Sequence, residues 1–143
     1  MSIQSIVVSI LLLSGDIESN PGPAVSTVPS THHVSRLNVS CINAYSAINE
    51  AARLHSAIDE CKLDILAVTE TWIKESHPDA IKRDLAPPGF TVLHFHRPGD
   101  GANDRGGVAI VARDKLCIEQ VSLSGKYSSV EILAVQCSTK AGR

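Results

Sequence analysis

The sequence predicts an α/β fold for the residues that follow the first 34 positions. A strand at 36–42, an amphipathic helix at 46–61 and a strand at 63–68 follow one another, which is the order of a βαβ unit. The strand at 63–68 is a nearly continuous apolar run, typical of a strand buried on both faces of its sheet. Further strands are predicted at 91–96, 108–112, 117–123 and 130–137.

The helix is predicted from a capping residue and from the spacing of its apolar residues. Ser46 is a residue type that accepts hydrogen bonds from the free amides of a first helical turn. Apolar residues then recur every three or four positions and form one stripe, made of Ala47, Ala51, Leu54, Ile58 and Cys61.

Three segments have the composition of connections. Residues 24–34 are small, polar and proline-containing, which is typical of a linker. Residues 74–89 are charged and proline-rich, which predicts a long excursion between strands. Residues 98–107 are rich in Gly, Asn and Asp, which predicts a flexible connection. The predicted division of the chain is therefore a leader at 1–23, a linker at 24–34 and one domain at 35–143.

Charge and cysteine content narrow the classes of function. The formal net charge is −2, so no overall basic field points to a nucleic-acid partner. Aromatic residues make up only 3% of the chain, which argues against a platform for base stacking. The cysteines are far apart and form no Cys-x-x-Cys pair, so they indicate reduced thiols in an intracellular protein rather than a zinc site.

A rigid turn is predicted where the leader ends. Residues 16–23 read Asp-Ile-Glu-Ser-Asn-Pro-Gly-Pro. Pro21 fixes its own backbone and moves Asn20 away from helical conformations, while Gly22 can take a positive φ angle. An apolar segment that is able to form a helix is therefore stopped by a tight turn.

This run resembles the 2A-like translational recoding peptides, whose pattern is Asp-(Val/Ile)-Glu-x-Asn-Pro-Gly-Pro. Every specified position is matched, by Asp16, Ile17, Glu18, Asn20, Pro21, Gly22 and Pro23. The resemblance implies that the nascent peptide acts in the ribosome exit tunnel, where prolyl-tRNA cannot attack the Gly22 ester. The ester is then hydrolysed and synthesis resumes at Pro23. The alternative is an ordinary Pro/Gly linker, but the acidic residues Asp16 and Glu18 favour recoding.

The apolar run at 3–13 precedes this motif and has two interpretations. It is too short to span a bilayer comfortably, so no stable membrane span is expected. It suits the upstream helix of a recoding peptide. It also has the length of a secretory-signal core, although a basic segment before it is missing. The skipped product is expected in the cytoplasm or nucleus, and the unskipped fusion is the form that a signal could route to secretion.

Three blocks in the domain carry a second resemblance. They are Leu37-Asn38, the run Leu-Asp-Ile-Leu-Ala-Val-Thr-Glu-Thr-Trp at 63–72, and Arg-Gly-Gly-Val-Ala-Ile-Val at 105–111. Together they resemble the N-terminal half of the endonuclease/exonuclease/phosphatase fold, most closely the endonucleases of non-LTR (LINE-class) retrotransposons. The resemblance implies half of a four-layer α/β sandwich, DNA as the partner, and phosphodiester hydrolysis assisted by Mg²⁺.

The resemblance also assigns two catalytic residues. It implies that Glu70 is the metal ligand and that Asn38, at the end of the first strand, orients the phosphate or the ligand shell. Glu70 suits this role physically, because a carboxylate at the end of a buried strand is costly without a partner such as a metal. The alternatives are an exposed loop glutamate and a turn asparagine. Asn38-Val39-Ser40 is also a glycosylation sequon, which matters only on a secreted form.

The sequence departs from the family in its later motifs. A Gly-Asp-Phe-Asn-like block and a Ser-Asp-His-like block, which supply the remaining acid and the His–Asp pair, do not occur. The expectation is a recoding leader fused to a partial domain that has no nuclease activity alone and uses Mg²⁺ only when its site is completed. Two further hypotheses stay open. One is a nuclease completed by another chain, and the other is a non-enzymatic protein routed to secretion.

Overall fold

The computed structural model describes residues 6–11, 37–96, 105–122 and 131–139. Along the chain the elements are β1 (Ile6–Leu11), β2 (Val39–Asn43), α1 (Ala51–Glu60), β3 (Ile65–Thr69), α2 (Asp79–Arg83), β4 (Phe90–Phe95), β5 (Val108–Arg113), β6 (Leu116–Gln120) and β7 (Ile132–Thr139). This mixture of helices and strands confirms the α/β class. The run at 16–23 that resembles a recoding peptide and the predicted linker at 24–34 lie outside the described residues.

The strands form two sheets. The four-stranded sheet has the order β2-β3-β5-β4. Strands β2 and β3 are parallel and connected through α1, as the βαβ prediction requires, while β5 runs antiparallel to both of its neighbours. The three-stranded sheet has the order β1-β7-β6 and is antiparallel throughout. A turn at 114–115 leads from β5 in the first sheet to β6 in the second.

Two apolar cores lie on the two faces of the four-stranded sheet. On one face, Leu54 and Ile58 of α1 pack with Leu66 and Val68 of β3. On the other face, alternate residues of β3 and β5 meet the three-stranded sheet, in a cluster that includes Ile65, Ala67, Ile110, Leu133 and Val135. All residues of β3 are buried, because successive side chains enter opposite cores. The described layers are thus helix, sheet and sheet, and the prediction of burial on both faces is confirmed.

The first helix begins later than predicted. Helix α1 starts at Ala51, and its N-cap residue Glu50 makes no capping hydrogen bond through its side chain. Ser46 cannot cap this helix because its backbone has φ 89° and its amide donates to the Glu70 carbonyl oxygen at 2.9 Å. The predicted end near Cys61 is confirmed, since Cys61 is the C-cap.

The described part of the apolar leader is a strand in the folded chain, while the upstream helix expected in the ribosome exit tunnel stays a prediction. Residues 6–11 form β1, which pairs with β7 along one edge of the three-stranded sheet. The reason is compositional, because the segment Ile-Val-Val-Ser-Ile-Leu is rich in β-branched residues, which favour strands. Within the described residues, no helix has the length and apolar character needed to cross a membrane.

Candidate functional site

The carboxyl ends of β2 and β3 form the candidate site. Because these strands are parallel, Asn43 at the end of β2 lies beside Thr69 at the end of β3, and Glu70 follows directly. Backbone pairing continues past the strands, since the amide of Ala47 donates to the Thr71 carbonyl oxygen at 2.8 Å. The carboxyl ends of parallel strands are where open α/β sheets bind their ligands.

Left-handed backbone conformations cluster at this edge. The φ angles of Tyr45, Ser46, Glu70 and Trp72 are 47°, 89°, 54° and 56°. Among the described non-glycine residues only Lys62, after α1, shares this conformation. Such conformations cost on the order of 1–3 kcal/mol each and persist where surrounding contacts fix them, as happens at many binding and catalytic sites. The loops that follow β2 and β3 are therefore held in conformations that their sequences alone disfavour.

The carboxylate of Glu70 is fixed through one of its oxygens. The indole Nε1 of Trp72 and the amide of Gly106 donate to Glu70 Oε2 at 2.9 and 3.1 Å. Glu70 Oε1 accepts no hydrogen bond from the described residues. The guanidinium of Arg105 lies 5.8 Å from the centroid of the Trp72 ring, within range of a cation–π interaction. One carboxylate oxygen is thus oriented by the protein, while the other has no hydrogen-bond donor among the described residues.

Gly106 and Gly107, directly before β5, hold the loop that carries Glu70. The amides of Thr71 and Trp72 donate to the carbonyl oxygens of Gly107 and Gly106 at 3.1 and 2.8 Å. In turn, the amide of Gly107 donates to the buried carboxylate of Glu131 at 2.7 Å. A hydrogen bond between a buried amide and a charged group is among the stronger ones in proteins. This clamp explains how the loop keeps its strained backbone.

His94 supports the loop that follows β3. Thr71 is fully buried, and its Oγ1 lies 2.9 Å from His94 Nε2. Burial, together with the positive charges of Lys82 and His96, lowers the pKa of His94 from 6.5 to about 4. His94 is therefore neutral near pH 7. When Nδ1 carries the ring proton, Nε2 accepts a hydrogen bond from the Thr71 hydroxyl.

We expect acid to destabilise the fold through His94. Its folded pKa lies below the unfolded value, so the unfolded chain binds more protons between about pH 4 and 6.5, and stability falls as pH falls through that window. The free energy of unfolding is expected to drop by about 2 kcal/mol from pH 7.5 to pH 5, measured by urea titration. The His94→Gln variant is expected to lose most of this pH dependence, and an equal drop in that variant would contradict the prediction.

Asn38 does not lie near Glu70. It precedes β2, and its carbonyl oxygen accepts the amides of Asp64 and Ile65 at 2.8 and 3.2 Å, at the amino ends of the strands. Its side-chain amide donates to the Lys62 carbonyl oxygen at 3.1 Å. The five residues of β2 separate this edge from the Glu70 edge by about 16 Å. The expected placement of Asn38 at the end of the first strand is therefore wrong.

The residue at the end of the first strand is Asn43. The predicted first strand, 36–42, stops one residue short of it. Its Oδ1 accepts the amide of Tyr45 at 3.2 Å, which is local turn chemistry at the strand end. An asparagine directly after an apolar residue and before a helix signal is the sequence feature that could have identified it.

The edge that contains Asn38 is organised by ion pairs. Asp64 is almost fully buried, and its Oδ1 lies 2.9 Å from Lys115 Nζ and 3.2 Å from Arg113 Nε. Burial alone raises the pKa of Asp64, but the hydrogen bonds from Lys115 and the Asn38 amide and the two positive charges outweigh it, so the pKa is lowered. This cluster joins β3 to the β5–β6 turn and has a structural role.

The oxygens at the Glu70 edge suit magnesium. Mg²⁺ prefers oxygen ligands, keeps several waters and is often held by one or two carboxylates together with substrate phosphate. Glu70 Oε1 and the side-chain oxygen of Asn43 are of this kind. Among the described residues, no group of three or more His, Cys, Asp and Glu could enclose a metal ion, so a site at this edge would depend on water and phosphate for its remaining ligands.

No protein-family model matches the chain. Comparison with curated proteins also gives no significant match.

Proposed function

We propose that residues 35–143 are part of a magnesium-dependent phosphodiesterase domain of the LINE-class endonuclease type, with Glu70 as the metal ligand. The observation that supports this most is the geometry of the Glu70 carboxylate. One oxygen is held by Trp72 and Gly106, and the other has no hydrogen-bond donor among the described residues at the carboxyl end of a buried strand. A carboxylate held in this way is positioned for a cation before the cation arrives.

The residues around Glu70 have different roles in binding the metal and the DNA phosphate. Asn43, rather than Asn38, takes the role of orienting the phosphate or the ligand shell, because it shares the Glu70 edge. Arg105 is exposed beside Trp72 and offers a positive charge to a DNA phosphate. When bound, Mg²⁺ would neutralise the phosphate and stabilise the leaving oxygen.

The described residues account for the binding of a divalent cation but not for the hydrolysis of DNA. Hydrolysis also needs a group that activates water and a group that protonates the leaving oxygen. Two described titratable residues support the loop that carries Glu70, His94 through Thr71 and Glu131 through Gly107. We therefore expect the 143-residue chain to bind a divalent cation without cutting DNA.

A paramagnetic cation tests where the metal binds. Mn²⁺ added to the ¹⁵N-labelled chain is expected to broaden the amide signals of the loops after β2 and β3. Glu70→Gln should remove this broadening, and Asn43→Ala should weaken Mn²⁺ binding about tenfold. Asn38→Ala is the matched control, because it removes the same amide at the opposite edge, and it should leave Mn²⁺ binding unchanged. Broadening centred on Asp64, or unaffected by Glu70→Gln, would contradict the proposal.

We also propose that residues 1–23 recode translation. The support is the complete match to the recoding pattern from Asp16 to Pro23, in residues that lie outside the described structure. The ribosome exit tunnel is then the partner during synthesis, and the Gly22–Pro23 bond is left unmade in a fraction of chains. The ratio of separate to fused translation products measures this activity.

A further inference from the structure

We propose that the outer edge of β7 is a strand-docking surface and that its occupant is the leader strand β1. In this proposal, recoding determines whether β1 stays covalently attached to the rest of the chain. The last part rests on the proposed recoding at Gly22–Pro23, whereas the docking itself does not. Strand β1 lies upstream of the recoding motif, yet it pairs with the last described strand of the chain. A break after Gly22 would therefore separate two strands that are neighbours in one sheet.

The pairing makes β7 a central strand only while β1 is present. The register runs antiparallel from Ile6 beside Cys137 to Leu11 beside Ile132. On its other side β7 pairs with β6. Without β1, β7 presents a row of unpaired backbone amides and carbonyls, which is the surface that strand addition uses.

The structure identifies which amides form this surface. The amide of Val121 donates to the Ala134 carbonyl oxygen at 2.9 Å, so the polar backbone groups of Ala134 face β6. Backbone groups alternate along an antiparallel strand, so Gln136 also faces β6. The amides of Leu133, Val135 and Cys137 face β1, opposite Ile10, Val8 and Ile6 respectively.

The occupant is argued from complementarity and from position in the chain. The side chains of Leu133, Val135 and Cys137 are buried between the two sheets, so β7 is held in place by contacts other than those with β1. Residues 6–11 are uncharged and, apart from Ser9, apolar, which suits a strand added at the edge of an apolar sheet. A fused product keeps this edge closed, and a skipped product begins at Pro23 with the edge open.

Hydrogen exchange on the full chain tests the docking surface. For this experiment two changes are made in the 143-residue chain. Pro23→Ala keeps the leader fused, and a protease site is introduced in the linker at 24–34. After cleavage and removal of the leader, the amides of Leu133, Val135 and Cys137 are expected to exchange at least tenfold faster. The amides of Ala134 and Gln136 should keep their protection and serve as internal controls. Equal protection before and after removal would overturn the proposal.

Adding back the leader tests the occupant. A synthetic peptide of residues 1–22 should restore protection at the same three amides, and N-methylation at Val7, whose backbone faces outward, should not prevent this. N-methylation at Val8 should prevent it, although the side chains are unchanged. Dimerisation of the cleaved chain without recapture of the peptide would overturn the leader as occupant and assign the edge to a second copy.

A variant of the uncut chain covers the case in which cleavage unfolds the domain. Val8→Pro removes an amide that faces β7, whereas Val7→Pro removes one that faces outward. Val8→Pro should speed exchange at Val135 at least tenfold and Val7→Pro should not, and equal effects would overturn the proposal. None of these measurements depends on recoding, so a failure of docking and a failure of ribosome skipping are distinguishable.

Discussion

Replacing Pro23 by alanine is expected to convert two translation products into one. A reporter placed before Met1 in a eukaryotic cell-free system should give a separate leader product and a fusion from the wild-type sequence. Proline attacks the Gly22 ester through a hindered secondary amine, whereas alanine attacks through a primary amine, so the peptide bond forms before hydrolysis competes. A change of only ~1.4 kcal/mol in the relative barriers alters the product ratio about tenfold, and we expect at least that.

The motif itself contains the control for this measurement. Ser19 occupies the free position of the pattern, so Ser19→Ala should leave the product ratio near that of the wild type. Asn20→Ala alters the turn that precedes the break and should favour the fusion, as Pro23→Ala does. Fusion alone from both the wild type and Pro23→Ala would show that residues 16–23 are a linker.

Gly107→Ala is expected to lower the free energy of unfolding by about 3–4 kcal/mol, because a positive-φ penalty of about 1 kcal/mol adds to a steric one of about 2–3 kcal/mol. Gly107 has φ +84°, and a Cβ there would lie 2.5 Å from Thr71 Oγ1 and 3.6 Å from His94 Nε2. Thr71 is fully buried and cannot move aside without breaking its contact with His94. Guanidinium titration at pH 7.5 measures the loss.

Gly89 provides a matched control for the collision. It has the same φ of +84°, but a Cβ there meets no atom within 4 Å. Gly89→Ala should therefore cost only the backbone penalty, about 1 kcal/mol. The difference between the two variants isolates the contact with Thr71. Equal losses would show that the Thr71–His94 support does not constrain the start of β5.

Strand β3 and Glu70 could be predicted because their signals are local. A strand buried on both faces needs an apolar residue at nearly every position, and the run at 63–68 has them. Glu70 is the first acidic residue after that run, so its place at the strand end followed from the strand. Burial between the two cores confirms the strand, while the metal-binding role of Glu70 stays a prediction.

The features that sequence reasoning missed depend on distant partners. Glu70 and Trp72 adopt left-handed conformations because Gly106 and Gly107 hold their loop, and no residue near them in sequence signals this. The placement of Asn38 is wrong because β2 begins directly after it, so the residue that reaches the Glu70 edge is Asn43, five positions further along the chain. The sequence does not predict the strand at 6–11, because a short apolar run does not reveal whether a partner strand exists.

The pairing of β1 with β7 also determines when the leader can become structured. Ile6 and Cys137 are 131 positions apart in the chain, whereas β3 and β5 pair across a much shorter separation. Contacts between distant positions form slowly, and this one must wait until β7 has been synthesised and has left the ribosome. Residues 6–11 therefore have no partner strand while the motif at 16–23 is in the exit tunnel. The order of synthesis leaves the leader available to the ribosome first and to the sheet only afterwards.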